Sequence, residues 1–242
     1  MPLSKAIDRL TGNERASVVL AYCHGEDGNF KPAFVRSLVR VLVEDRGRKI
    51  HGYITAQGLY VPRGRNEIVG DFLNGSACDW LWFLDTDVEF PADTLDRLLQ
   101  ATADGERKIV AAPYWSIDDE GEPYCTWMGI DDGSLLPFRE IPAGQTIELD
   151  ACGMGCTLIH RDVFVDIAAA QTQDDPWIWF GHDLVATEHG AARLGEDVSF
   201  CIRAAQVGHA TWGVCDIVVD HLKLQATQRG KVVVADELAQ AT

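Results

Sequence analysis

Between residues 17 and 112, short apolar runs alternate with amphipathic stretches, and this alternation constrains the fold more than any other feature of the chain. Residues 17–23 (SVVLAYC) form a β-branched run of the length of a buried strand. After a Gly-rich loop at 24–30, the stretch 31–45 places Phe34, Val35, Leu38, Val41 and Leu42 at helical spacing. Residues 49–55 predict a second strand, and 63–73 a second helix with Ile68, Val69 and Phe72 on one side. Residues 79–84 (DWLWFL) predict a third strand. Pro91 suits the first turn of a third helix ending near Ala103, and 109–112 predict a fourth strand. Strands and helices in strict alternation demand parallel pairing through right-handed crossovers. The expected class is therefore α/β, a mostly parallel, doubly wound sheet with helices on both faces. Ligands of such sheets bind beyond the carboxyl ends of the strands.

The second half has another texture. Residues 113–145 read as loop, with acidic turns such as Asp131-Asp132-Gly133. Two strands, 146–151 and 157–160, flank a Gly153-Met154-Gly155 bend, and 174–183 form an aromatic loop. A helix is predicted over 196–207 with Gly208 as its stop, followed by a last strand over 211–219. Residues 225–242 read as a weakly held tail.

Composition narrows the class of function. At 242 residues, 47% of them apolar, the chain can bury a sizeable core. No apolar run approaches a membrane span, and residues 1–15 lack the apolar centre of a signal peptide, so a cytoplasmic protein without a membrane partner is expected. The seven cysteines form no C-x-x-C pair and read as small buried hydrophobes. A formal net charge of −16 repels polyanions, which disfavours general nucleic-acid binding. It also means that a diphosphate bound here needs a cation between it and the protein.

The residues that carry chemistry lie at predicted strand exits. Asp85-Thr86-Asp87 follows the third strand directly, and residues i and i+2 of an extended chain share a side. Two carboxylates so placed can converge on a divalent cation, which in turn binds phosphate oxygens; the same segment also reads as a solvated acidic turn before a helix. Gly195-Glu196-Asp197 opens the predicted last helix, where a carboxylate serves either as a cap or as a general base. His221 follows the last strand. It reads either as a hydrogen-bonded surface histidine or as a third metal ligand, and a mixed oxygen and nitrogen set suits Mn2+ better than Mg2+. Lys223 is placed to meet a diphosphate as a point charge.

In this order and spacing the segments resemble the GT-A glycosyltransferases, and within them the family 2-like enzymes, including forms found in bacteriophages. The resemblance rests on the 17–25 strand and loop and on Arg63-Gly64-Arg65-Asn66 opening a helix. It continues through WLWFLDTDVEFP at 80–91, DACGMGCTLIHRDVF at 150–164, GEDVSFCIRA at 195–204 and the His221 segment. It implies a GT-A domain over 1–224, with a nucleotide-binding half at about 15–112 and an acceptor half at about 113–224. The implied donor is a nucleoside-diphosphate sugar, with UDP one of the possible nucleotides. The resemblance places Tyr22, His24, Glu26 and Asp27 at the nucleoside, with Glu26 or Asp27 toward the nucleobase, and Arg63, Arg65 and Asn66 near the nucleotide. Asp85, with Thr86 beside it, would touch ribose or the metal's water shell; Asp87 would bind the metal and His221 complete its ligands. Gly153, Met154 and Gly155 would let backbone approach the donor sugar. Asp197 would be the base of an inverting transfer, with Glu196 beside it.

The resemblance implies Mn2+, with Mg2+ as the alternative, and a hexosyl or pentosyl group for transfer. The acceptor stays open between a modified DNA base of a phage in its host's cytoplasm, a protein and a glycan. No obligate protein partner is evident. The Gln-x-x-Arg-Trp segment of processive polymer synthases is lacking. Two rivals remain. A nucleotidyltransferase should carry a basic Gly-rich loop after the first strand, whereas His24-Gly25-Glu26-Asp27-Gly28 has no cation. A non-catalytic nucleotide- or sugar-binding module is the other. The 174–183 loop, with Trp177 and Trp179, reads equally as a lid, a stacking platform or core packing.

Overall fold

The computed structural model describes residues 16–26, 28, 30–46, 48–118, 120–131, 134–171, 177–187 and 190–222. Asp27, Lys223 and the 225–242 segment lie outside the described residues. The elements run β1 (Val18–His24), α1 (Pro32–Asp45), β2 (Ile50–Gln57), α2 (Val61–Gly75), β3 (Trp80–Leu84), β4 (Val88–Glu89), α3 (Thr94–Ala101) and β5 (Ile109–Ala111). Short strands follow: β6 (Trp115–Ile117), β7 (Pro123–Cys125), β8 (Trp127–Asp131), β9 (Ser134–Pro137), β10 (Thr146–Leu149) and β11 (Ala151–Cys152). The chain continues through β12 (Cys156–His160), α4 (Arg161–Ala170), β13 (Leu184–Thr187), β14 (Gly190–Arg193), α5 (Glu196–Gln206), β15 (Thr211–Val214) and β16 (Asp220–His221).

A seven-stranded sheet in the order β10-β15-β5-β12-β3-β1-β2 forms the centre. Every residue of β3 is buried, and β1 buries Val18 and Leu20 toward one face and Val19 and Ala21 toward the other. Strands covered on both sides have no polar alternation, which is why these runs read as continuous apolar segments. Helices α2, α4 and α5 cover one face through Ile68, Phe72, Phe164 and Phe200, and α1 and α3 cover the other through Phe34, Val41, Leu95 and Leu98. The expected mostly parallel sheet with helices on both faces is the observed one.

Two strands oppose the rest. β12 runs antiparallel to both β3 and β5, and β10 antiparallel to β15. The reversal of β12 matters for the site, because it pairs Cys156 with Leu84 and brings the preceding glycine bend to the carboxyl end of β3.

Several boundaries differ from expectation. Pro91 does not open α3: Val88–Glu89 is held extended by pairing with β16, and Pro91 lies in a turn whose carbonyl accepts the Thr94 N–H. The strand expected over 211–219 ends at Val214, where the chain turns, with the Ile217 N–H donating to Val214 at 3.4 Å. That break lets His221 reach Val88. The 113–145 stretch is not featureless loop but holds the β6–β7 pair and the β8–β9 pair, with β11 added to the latter. The β13–β14 hairpin was not expected at all.

Candidate active site

The carboxyl edge of the sheet collects the chemistry-bearing residues from β1, α2, β3, the bend before β12, the start of α5 and β16. Asp85 leaves β3 with its N–H donated to the Gly155 carbonyl at 2.9 Å. Its side chain accepts from Arg65 Nη2 at 3.4 Å. Arg65 enters from the second turn of α2 and is only 5% exposed. Its Nη1 donates to Glu196 at 3.2 Å and to Asp197, both from the first turn of α5. One guanidinium thus faces three carboxylates. Burial works against its charge, but Asp197, Asp85 and Glu196 outweigh that and hold it above even the ordinary arginine range.

Asp197 has a second partner, the Met154 N–H, at 3.2 Å. The general-base candidate is therefore tied directly to the glycine bend. Burial raises its carboxyl to about 6; Arg65 opposes the rise, and Glu196 and Asp85 add to it. A carboxylate in this range is ionised at neutral pH yet basic enough to take a proton.

The other end of the pair has a different neighbour. Asp87 Oδ2 lies 3.7 Å from His221 Nε2, and the Asp87 carbonyl accepts the Leu222 N–H at 2.8 Å. His221 Nδ1 lies 3.1 Å from the Trp115 carbonyl. A proton on Nδ1 donated to that carbonyl turns Nε2 toward Asp87, the arrangement that orients metal-binding histidines. The Asp87 carboxylate beside it raises the imidazole above its usual range, with burial opposing. Among the described residues no group of three or more His, Cys, Asp or Glu side chains is disposed to hold a metal ion. Asp87 and His221 are two fitting ligands, whereas the Asp85 carboxylate is turned to Arg65 instead of completing a set of three.

The remaining expected residues are placed as follows. Tyr22 packs among Phe30, Phe34 and Tyr53, and His24 Nδ1 meets the Gly25 carbonyl. The Glu26 carbonyl accepts from Gln57, and its side chain lies over Gly58, which has no room for a Cβ. The Thr86 carbonyl accepts the Lys31 N–H. Arg63 is 62% exposed and pairs with Glu67 one turn along. Asn66 is held by the aromatic segment. Its amide donates to the Pro62 and Phe180 carbonyls and accepts from the Trp179 and Phe180 N–H groups, so both its donors and its acceptor are occupied in fixing the aromatic segment. Phe180 is core, stacked on Phe200 at 4.7 Å, and Trp179 donates to the Phe164 carbonyl.

Sequence reasoning overlooked Tyr114 and the Trp115 carbonyl. Tyr114 accepts the Gly155 N–H at 3.2 Å, and burial holds its phenol well above the usual range, with Asp85 and Asp197 adding to the rise. Its position just beyond β5, at the same sheet edge, was the available signal.

No family model matches the chain, and no curated protein matches it. Among solved structures it is similar to A197 from STIV, with a TM-score of 0.52 and 19% identity, covering 83% of this chain and 83% of that one. It is also similar to GalNAc-T7, solved with UDP, GalNAc and Mn2+, with a TM-score of 0.50 and 10% identity. That match covers 86% of this chain and 44% of the longer one. The likeness is one of fold, and the fold is of the GT-A type.

Proposed function

We propose that the protein is a GT-A glycosyltransferase that moves a hexosyl or pentosyl group from a nucleoside-diphosphate sugar to an acceptor hydroxyl. The observation that carries this reading is the meeting, at one sheet edge, of a D-x-D pair, the Gly153-Met154-Gly155 bend and a partly buried carboxylate. The GT-A fold, and a neighbour of that fold solved with UDP, GalNAc and Mn2+, support the reading and make UDP the first nucleotide to try.

The residues divide the work by chemistry. The β1 loop, with Tyr22, His24, Glu26 and Asp27, faces the nucleoside, and Arg63 and Lys223 serve the phosphates. Asp87 and His221 hold a divalent cation, Mn2+ before Mg2+, with Asp85 and Thr86 near its water shell or the ribose. Such a cation, when bound, offsets the charge of the departing diphosphate. Gly153, Met154 and Gly155 lie along the donor sugar, and both glycines also make room for Tyr114, which a Cβ at either would meet within 3 Å. Asp197 accepts the acceptor's hydroxyl proton as the oxygen attacks the anomeric carbon. The carbon–oxygen bond to the diphosphate breaks in the same displacement, and the anomeric configuration inverts. Arg65 orients Asp197, and Glu196 shares that guanidinium.

The acceptor is a modified DNA base, a protein or a glycan. The charge of −16 disfavours a broad polyanion-binding surface, so a DNA acceptor would make local contact through an extruded base. A donor-hydrolysis screen over uridine and guanosine diphosphate sugars with Mn2+ tests the function. Turnover of one donor that stops in excess chelator is expected; no turnover of any donor, by a folded chain that binds none of them, contradicts it.

A further inference from the structure

Tyr114 takes no part in the chemistry above, yet it touches both halves of the site. It stands just past β5 and is 5% exposed. Its carbonyl is fixed by the Thr126 N–H at 3.0 Å and the Thr126 hydroxyl at 3.2 Å. Its own hydroxyl accepts the Gly155 N–H, and the carbonyl of that same glycine accepts the Asp85 N–H at 2.9 Å. On its other side the ring meets the His221 imidazole edge-on, with centroids 5.5 Å apart at 74°. The bend is moulded on the phenol. A Cβ at Gly153 would lie 2.2 Å from the Tyr114 hydroxyl, and one at Gly155 would lie 2.8 Å from the ring and 2.9 Å from Asp85 Oδ2.

We infer that Tyr114 is the positioning residue that fixes the two ends of the Asp85–Asp87 pair relative to each other, through Gly155 on one side and His221 on the other. A phenol is suited to this. It is rigid beyond its first torsions, and it offers an oxygen at one point and a flat apolar edge at another. The inference rests on the proposed function and adds to it a residue that touches neither donor nor metal.

Two variants separate the arms. Y114F removes the oxygen, leaves the Gly155 N–H without its acceptor and keeps the ring on His221. Y114L removes both arms and keeps an apolar filling. Calorimetric titration with UDP, and with GDP alongside, is run with Mn2+ and again with chelator. The Mn2+-supported affinity is expected to fall about tenfold in Y114F and about a hundredfold in Y114L, the range for residues that orient a ligand. The metal-free affinity should not change, whereas a merely structural role would lower both together. If wild type binds either nucleotide with Mn2+ and Y114F binds it equally well, the Tyr114 assignment is overturned and the proposed function stands. If wild type binds neither nucleotide, the proposed function falls and the inference with it. Should Y114F lose its cooperative melt, amide exchange in wild type decides the matter. Exchange at the Gly155 N–H slows on adding Mn2+ and UDP if the bend belongs to the site, and unchanged exchange overturns the inference.

Discussion

Asp85 and Asp87 are two residues apart, and the fold gives them opposite company. Asp85 joins a cluster in which a nearly buried guanidinium is shared with Glu196 and Asp197. Asp87 faces a histidine whose far nitrogen is anchored to the Trp115 carbonyl. In the first setting a single internal cation is shared among three carboxylates. The second holds donors suited to a cation from solution. The difference teaches that a D-x-D spacing leaves the company of each carboxylate open: the fold sets a guanidinium opposite one and an imidazole opposite the other.

The largest expected effect comes from removing the internal cation. Arg65→Met leaves Asp85, Glu196 and Asp197 close together without a counter-charge. The expected loss of folding stability is about 3–5 kcal/mol, the range for breaking a buried ion pair from one side. Urea denaturation measures it, and a loss below about 1 kcal/mol would mean that the cluster is solvated enough to stand alone.

Next comes Asp197. Asp197→Asn keeps size and the Met154 contact but removes the basic oxygen, so transfer should fall about a hundredfold or more while donor binding survives. The same residue sets a pH limb. Its carboxyl is raised to about 6, and only the ionised form accepts a proton, so transfer should rise as pH increases through about 6 and be lost below it. In Asp197→Asn that limb should vanish from the residual rate. A limb that persists unchanged would assign it to another group.

A smaller effect is expected on the Asp87 side. His221→Ala should weaken Mn2+-supported nucleotide binding about tenfold or more, with little change in melting, since β16 is a two-residue strand. Unchanged affinity would leave His221 as a hydrogen-bonded structural residue.

The parts of this arrangement differed in how far they could be read beforehand. Strands β1 and β3 and helices α1 and α2 were legible because burial on both faces and helical spacing are written locally. The direction of β12 was not, since a strand's local pattern is the same whichever way it enters the sheet. The hairpins of the 113–145 stretch and β13–β14 are short, and β6 and β9 are only partly buried, so their periodicity is weak. Asp85, Asp197 and His221 stood out by chemical type at element ends. The central place of Arg65 was hidden because its partners lie 20, 131 and 132 residues away. Asn66 shows the reverse case, a residue with a nucleotide-like setting in sequence whose amide the fold occupies elsewhere.

The most direct test places one variant in each setting and reads two quantities on both: Mn2+-supported UDP binding, with GDP as the alternative, and transfer or hydrolysis of the matching sugar donor. Asp87→Ala is predicted to lose the binding that Mn2+ supports, and activity with it, while remaining folded. Asp197→Asn is predicted to keep the binding and lose the activity. The opposite pattern, with binding intact in Asp87→Ala and activity intact in Asp197→Asn, would contradict the division of the site into a cation-holding end and a proton-accepting end.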